Sequence, residues 1–184
     1  MEILIEEIPE EGLTLSTSRA DEWLEGLMNE VLGDSFTNDD TTTLSLSIQK
    51  VDKHVTLDGI LRYSAHRTCD RCLARFPDRS SVEFSTLLAP LYESKRQQER
   101  EEGIEVELVK EDLEFGYYEG DRFDLKEIVR EQILLQQPMK FLCGKECKGL
   151  CPTCGKELNS GPCGCKRALS DKRWEVLKGI KINR

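Results

Sequence analysis

Six of the eight cysteines fall within one stretch of 23 residues: Cys143, Cys147, Cys151, Cys154, Cys163 and Cys165. The run reads FLCGKECKGLCPTCGKELNSGPCGC, and the remaining two cysteines form the upstream pair Cys69-Asp-Arg-Cys72. Thiols at this density, separated by Gly and Pro, match what a soft tetrahedral ion requires. A C-x-x-C turn aims two sulfurs at one centre, and Gly permits the tight backbone that brings them there. Bound metal, with zinc as the expected ion, is the first reading of this chain.

Eight thiols divide into two sites of four. Cys151-Pro-Thr-Cys154-Gly155 reads as a knuckle turn, and Cys163-Gly-Cys165 follows after Asn159-Ser160-Gly161-Pro162, a reversing turn. These four cysteines are the first expected site. Cys69, Cys72, Cys143 and Cys147 form a possible second one, which requires two pairs about 70 residues apart to meet in the fold. The alternative is that Cys69 and Cys72 are ordinary free thiols. An all-Cys site is closed and structural, whereas catalytic zinc keeps an open position and often uses His. His54 and His66 are the only histidines, and neither belongs to an H-x-x-x-H, H-E-x-x-H or H-x-E pattern. His54 reads as an exposed strand residue, and His66, three residues before Cys69, as a substitute ligand at most.

An iron–sulfur cluster is the less favoured use of the same thiols, because the C-x2-C-x2-C-x3-C-P spacing of bacterial ferredoxins is absent. Neither C-x-x-C pair opens a helix after a buried strand, which argues against thioredoxin-like chemistry. There is no P-loop, G-x-G-x-x-G or G-x-S-x-G. No catalytic residues are assigned, and the expectation is a protein that is not an enzyme.

The opening MEILIEEIPEEG is acidic and lacks the basic and apolar regions of an export signal. A cytoplasmic, reducing location is therefore expected, where cysteine clusters are metal sites more often than disulfides. No apolar run approaches the roughly 20 residues that span a bilayer, so no membrane partner is expected. Charge is uneven. Residues 138–184 hold eight Lys and three Arg against four acids, a balance of +7; the whole chain carries −9, so residues 1–137 carry −16. A basic tail on an acidic body points to an anionic partner for the tail, RNA among them, or to lysines that keep a small metal knob soluble.

The chain accordingly divides into an acidic body, 1–137, and a basic Cys-rich tail, 138–184. In the body, residues 2–8 read as a strand and Thr14–Ser18 as a break that offers a helix cap. Ala20, Trp23, Leu24, Leu27, Met28 and Val31 mark a helix over 18–32 that ends near Gly33. Residues 34–42 read as a loop. Alternation at Leu44, Leu46, Ile48 and at Val55, Leu57 gives half-buried strands, with Asp58-Gly59 as a turn or bulge before Ile60–Ser64. Val82, Phe84 and Leu88 are strand-like, 93–103 is a charged mobile loop, and 104–109 an edge strand. Asp124 caps a helix over 123–137, with Glu127 in the box and Phe123 stapled to Ile128. Leu125, Ile128, Val129, Ile133 and Leu134 form its stripe, and Pro138 stops it. Ser170-Asp171 caps a short last helix carrying Trp174 and Leu177. The expected fold is α+β: an antiparallel, curved or barrel-like sheet flanked by two or three helices, with a small C-terminal Cys-rich zinc-binding segment.

The stretches FDLKEIVREQILLQQPMKFLC, CKGLCPTCGKELNSGPCGC and DKRWEVLKGIK, with the upstream CDRCLARF block and the strand ending Leu88-Ala89-Pro90, resemble the YceD family of bacterial proteins. The resemblance covers most of residues 60–182, and Lys172 stands where the family pattern has Pro. It implies a role in the accumulation of large-subunit (23S) ribosomal RNA, through its synthesis, processing or stability during ribosome biogenesis, without enzymatic turnover. All eight cysteines fall on the family's marked positions. The tail cations Lys140, Lys145, Lys148, Lys156, Lys166, Arg167, Lys172 and Arg173 are the expected phosphate contacts. Phe141 and Trp174 are too few for recognition by stacking. The partner expected is ribosomal RNA. The alternative is a zinc-dependent protein-binding adaptor for a basic ribosomal protein or an RNA-processing enzyme, with no small-molecule substrate in either case.

Overall fold

Alternating apolar residues build the centre of the molecule. In the computed structural model, which describes residues 1–93 and 115–165, Thr42–Val51 (β3) buries Thr42, Leu44, Leu46 and Ile48 on one face. His54–Thr68 (β4) continues the pattern through Val55, Leu57, Leu61, Tyr63 and Ala65. The two strands pair antiparallel across Asp52-Lys53, and Asp52 takes the left-handed conformation (φ 54°) that a two-residue hairpin turn demands. Leu13–Ser18 (β2) pairs antiparallel with β3, Arg75–Pro90 (β5) neighbours β4, and Phe115–Tyr118 (β6) lies at the far edge. The strand order is β2-β3-β4-β5-β6. Glu2–Leu4 (β1) and Arg122–Asp124 (β7) form a separate antiparallel pair, with buried Ile3 opposite Phe123.

Two helices pack into the same core. Glu22–Leu32 (α1) buries Leu24, Leu27, Met28 and Leu32, and Leu125–Gln136 (α2) buries Leu125, Val129 and Ile133. Asp124 caps α2 as expected, accepting from the Lys126 N–H at 2.9 Å. After α1 the segment 34–41 is held by buried contacts rather than left as a free loop. The Arg19 guanidinium donates to the carbonyls of Thr37 (2.7 Å) and Asp40 (2.6 Å), stacks on Phe36 and pairs with Glu25. The buried Asp40 carboxylate accepts from the Thr37 N–H and hydroxyl and from Ser64. Burial would raise this carboxyl, but those donors outweigh it and hold it below its ordinary value.

Several expectations need correction. The sheet is open and mixed, not a barrel: β2 and β6 are edges that do not pair with each other, and β6 runs parallel to β5. Among the described residues there are two α-helices. Thr14–Ser18 belongs to β2, and α1 starts after Asp21, whose carboxylate accepts from the Ser18 N–H and the Thr17 hydroxyl rather than capping the helix. Asp58-Gly59 is neither turn nor bulge but lies inside the continuous β4. Gly59 is there because the Phe84 ring occupies the place of its side chain: a Cβ would stand 2.3 Å from Phe84 Cζ. Leu134, expected in the stripe of α2, is exposed. The charged segment beyond Glu93, the edge strand at 104–109 and the last helix with Trp174 and Leu177 lie outside the described residues. Among those described, no helix is long and apolar enough to cross a membrane.

The chain divides into two compact units. The first comprises Met1–Arg67 and Pro77–Met139, and the second Thr68–Phe76 with Lys140 onward. The C-x-x-C segment at the end of β4, which the sequence reading places in the body, is thus counted with the Cys-rich tail.

Candidate metal centre

Each C-x-x-C in the second unit is the same knuckle. The Cys69 N–H donates to the Ala74 carbonyl and the Leu73 N–H to the Cys69 carbonyl, both at 2.9 Å. The Cys151 N–H donates to the Lys156 carbonyl and the Gly155 N–H to the Cys151 carbonyl, again at 2.9 Å. In both turns the amide two residues after the first cysteine points at its sulfur: Arg71 N to Cys69 Sγ at 3.5 Å, Thr153 N to Cys151 Sγ at 3.4 Å. The residue after the second cysteine is left-handed in both, Leu73 at φ 62° and Gly155 at φ 71°.

A left-handed conformation costs an L-residue about 1–2 kcal/mol, while Gly adds about 0.5–1 kcal/mol of chain entropy. Leu73 is 63% exposed, so its side chain contributes little by burial. Leu73→Gly is therefore expected to be neutral or stabilising by up to about 1 kcal/mol. Chemical denaturation of the metal-loaded protein checks this; a clear loss of stability would mean that Leu73 packs on something essential.

The knuckles complete two groups of four. Numbered in chain order, Cys69, Cys72, Cys143 and Cys147 come together as the first group and Cys151, Cys154, Cys163 and Cys165 as the second; in each group the sulfurs all lie within 4.8 Å of one another. Cys69 Sγ is 3.8 Å from Cys147 Sγ, and Cys72 Sγ is 3.6 Å from Cys143 Sγ. Four sulfurs placed about 2.3 Å from one tetrahedral ion stand about 3.8 Å apart along each edge, which these distances reproduce. The first group is the more buried: Cys69, Cys72 and Cys147 form a small core with Ala74, Phe76, Leu142 and Leu150, and Cys143 is exposed. In the second group Cys151 is buried, Cys163 and Cys165 are half-buried and Cys154 is exposed.

The acidity of the thiols is split within each group. Burial would raise Cys69, but the amides of Cys143, Cys72 and Arg71 outweigh it and bring it down to about 6. The thiols of Cys147 and Cys72, then burial, push Cys143 up to about 12. The amides of Cys154 and Thr153 bring Cys151 down to about 6, whereas the Cys154 thiol, burial and Cys163 push Cys165 up to about 12. One thiol ionises readily, and its charge then opposes ionisation of its neighbour. A divalent cation at the centre removes that opposition, so both groups have the geometry and the charge to hold a metal ion.

Arg71, Gly149 and Asn159, the last read from sequence only as part of a turn, build the surroundings. Arg71 donates to the Cys147 carbonyl at 3.1 Å. Gly149 (φ 71°) lets its backbone pass the Arg71 carbonyl, which a Cβ would meet at 3.0 Å. Asn159 donates to Cys147 Sγ at 3.4 Å. The G-L-C of CKGLCP and the Asn of ELNSGP are visible as residues, but their contacts cross the chain. His66 is not a ligand: its Nδ1 lies 3.4 Å from Asp40 in the first unit. His54 is half-buried in β4 and belongs to neither group. Lys140, Lys145, Lys148 and Lys156 are exposed on the second unit, while Lys166, Arg167, Lys172 and Arg173 lie outside the described residues.

An α+β unit with an open mixed sheet, and a second unit organised by two groups of four thiols, define the class of this protein. Residues 57–181 match the family described as "Large ribosomal RNA subunit accumulation protein YceD". The chain belongs to the YceD family. An uncharacterized protein of Mycobacterium tuberculosis is 29% identical to it over 134 residues, covering 73% of this chain and 59% of its own length. Proteins named "Large ribosomal RNA subunit accumulation protein YCED homolog 1, chloroplastic" are 26% identical in Arabidopsis thaliana (75% of this chain, 48% of the relative) and 27% in Zea mays (74% and 52%). The chain thus spans about half to three-fifths of the length of these curated relatives. No solved structure matches it.

Proposed function

We propose that the protein is a non-enzymatic, zinc-stabilised factor in the accumulation of large-subunit ribosomal RNA, acting in the cytoplasm during ribosome biogenesis. The observation that carries this reading is the family match, which spans both four-thiol groups and all four described tail lysines. Zinc is favoured by the donor set, which is sulfur alone, and by sulfur spacings that suit a single tetrahedral ion. The four ligands of an iron–sulfur cluster are divided among two or four irons and so spread wider than four on one ion. Cys69, Cys72, Cys143 and Cys147 would hold one ion and Cys151, Cys154, Cys163 and Cys165 the other, each serving as a closed structural centre.

The rigid knuckles would present Lys140, Lys145, Lys148 and Lys156 to RNA phosphates. Such contacts position a strand without reading its sequence, and each releases counterions. Replacing all four lysines by Ala should lower the slope of log affinity against log salt by about 3, at about 0.7–0.9 for each phosphate no longer neutralised. Fluorescence anisotropy with a labelled fragment of large-subunit ribosomal RNA, titrated at several salt concentrations, measures this. Wild-type binding that ignores salt, or a quadruple variant with an unchanged slope, would overturn the RNA contact. A stoichiometric protein bound to the wild type in that event would favour the adaptor alternative.

A further inference from the structure

Asn159 lies in the sequence between two cysteines of one group and donates a hydrogen bond to a cysteine of the other. It stands five residues after Cys154 and four before Cys163, yet its Nδ2 contacts Cys147 Sγ at 3.4 Å. The orientation of the amide is determined by its other side: Oδ1 accepts from the Lys148 backbone N–H at 2.8 Å, which only an oxygen can do. Nδ2 therefore faces the sulfur, and its second hydrogen reaches Glu157 Oε1 at 3.1 Å. The main chain on either side is tied down as well. The Leu158 N–H donates to the Gly149 carbonyl at 2.9 Å, Leu150 bridges to Glu157, and the Ser160 hydroxyl donates to the Glu157 carbonyl.

We infer that Asn159 is a positioning residue that makes the two four-thiol sites cooperative, so that filling the Cys151/Cys154/Cys163/Cys165 site tightens metal binding at Cys69/Cys72/Cys143/Cys147. The inference rests on the two-metal reading above. The segment between Cys154 and Cys163 has a ligand at each end. An ion in that site pins both ends and holds Asn159 where its N–H stabilises the Cys147 thiolate. With that site empty the segment keeps its Leu158, Glu157 and Ser160 contacts but loses its anchor at Cys163, so the Asn159 amide is held against Cys147 less firmly. Removing such a supporting hydrogen bond typically costs 10–100-fold in metal affinity. Linkage makes the effect mutual: the first site must favour loading of the second by the same factor.

The test uses the full chain loaded with cadmium-113, because each four-thiolate site gives its own NMR resonance, and a competing chelator measures occupancy site by site. Emptying the second site in Cys163→Ser/Cys165→Ser should weaken cadmium at the first site about tenfold. In the Asn159→Ala background the same double substitution should change the first site by less than twofold, since the link is already cut. Asn159→Asp keeps the acceptor for Lys148, loses the donor to Cys147 and sets a negative charge beside it; it should weaken the first site at least as much as Asn159→Ala and shift the first-site resonance. Ser160→Ala, which leaves the amide in place, should retain the tenfold gap. A first site indifferent to emptying of the second, or a tenfold gap that survives in the Asn159→Ala background, overturns the coupling and leaves the two-metal reading intact. A wild-type protein that takes up cadmium at neither site removes that reading, and the coupling with it.

Discussion

Cys72→Ser is expected to reduce the bound zinc from two ions per chain to one and to unfold the segment around Cys69–Cys72 and Cys143–Cys147. The second unit has nine residues in 68–76 and twenty-six in 140–165 among those described. Among the described residues its apolar core is Ala74, Phe76, Leu142 and Leu150 around three cysteines. A core with so few apolar side chains rarely holds a fold by burial alone. Structural zinc contributes about 10–16 kcal/mol in zinc-finger peptides near neutral pH, more than such a core can supply. Serine does not replace the thiolate, because its hydroxyl stays protonated and its oxygen is a harder donor. The first unit has its own core, in which residues of both helices meet those of the sheet, and should keep a cooperative unfolding transition. Native mass spectrometry counts the ions, and hydrogen exchange reports the amides of 68–76 and 141–149. Lowering the pH should release metal from the wild type as well, since protons compete for the thiolates. Two zinc ions retained by Cys72→Ser, or unchanged protection in that segment, would sink the structural role assigned to this site.

Gly59→Val is expected to destabilise the first unit by about 1–3 kcal/mol through overpacking. Gly59 pairs with Leu46 on the face of the sheet that also carries Leu57 and Leu61, all buried. The Phe84 ring fills the space above it, with three ring carbons within 2.9 Å of where a Cβ would be. A branched side chain there must displace an aromatic residue that is only 8% exposed. The energetic source is identifiable by a cycle. Phe84→Ala alone should cost about 3–5 kcal/mol through the cavity it leaves. The double variant should cost less than the two singles together, because valine partly refills that cavity; contacting pairs differ from additivity by about 0.5–3 kcal/mol. Urea unfolding monitored by circular dichroism gives all four values. Additive losses would mean that the ring and the glycine do not share one space.

The periodicities that sequence reading relies on are local, and they carried well here. Alternation in TTLSLSIQKV and the i, i+3, i+4 spacing in EWLEGLMNEVL identify β3 and α1 because one face of each must leave water. The Asp124 cap was legible for the same reason: an N-cap acts on amides two or three residues away. The misreadings share a different origin. Thr14–Ser18 looked like a break because hydroxyls compete with strand pairing, but its register against β3 pairs Leu13 with Ile48 and Leu15 with Leu46. Asp58-Gly59 looked like a turn because the residue that needs Gly there, Phe84, is 25 positions away. Leu73 escaped notice as the left-handed residue of the upstream knuckle because its side chain is not the one that usually signals that conformation.

The sequence alone determined that eight soft donors occur in closely spaced pairs, two C-x-x-C, one C-x-x-x-C and one C-x-C, that a basic tail follows an acidic body, and which family motifs the chain carries. Those are properties of near neighbours, where backbone geometry limits what a few residues can do. Tertiary structure alone decided that the Cys69 and Cys72 sulfurs meet those of Cys143 and Cys147, that the sheet is open and mixed, and that Asn159 contacts a cysteine outside its own group. Each of these joins residues across the chain, and the free energy that selects such pairings belongs to the packed whole rather than to any segment of it.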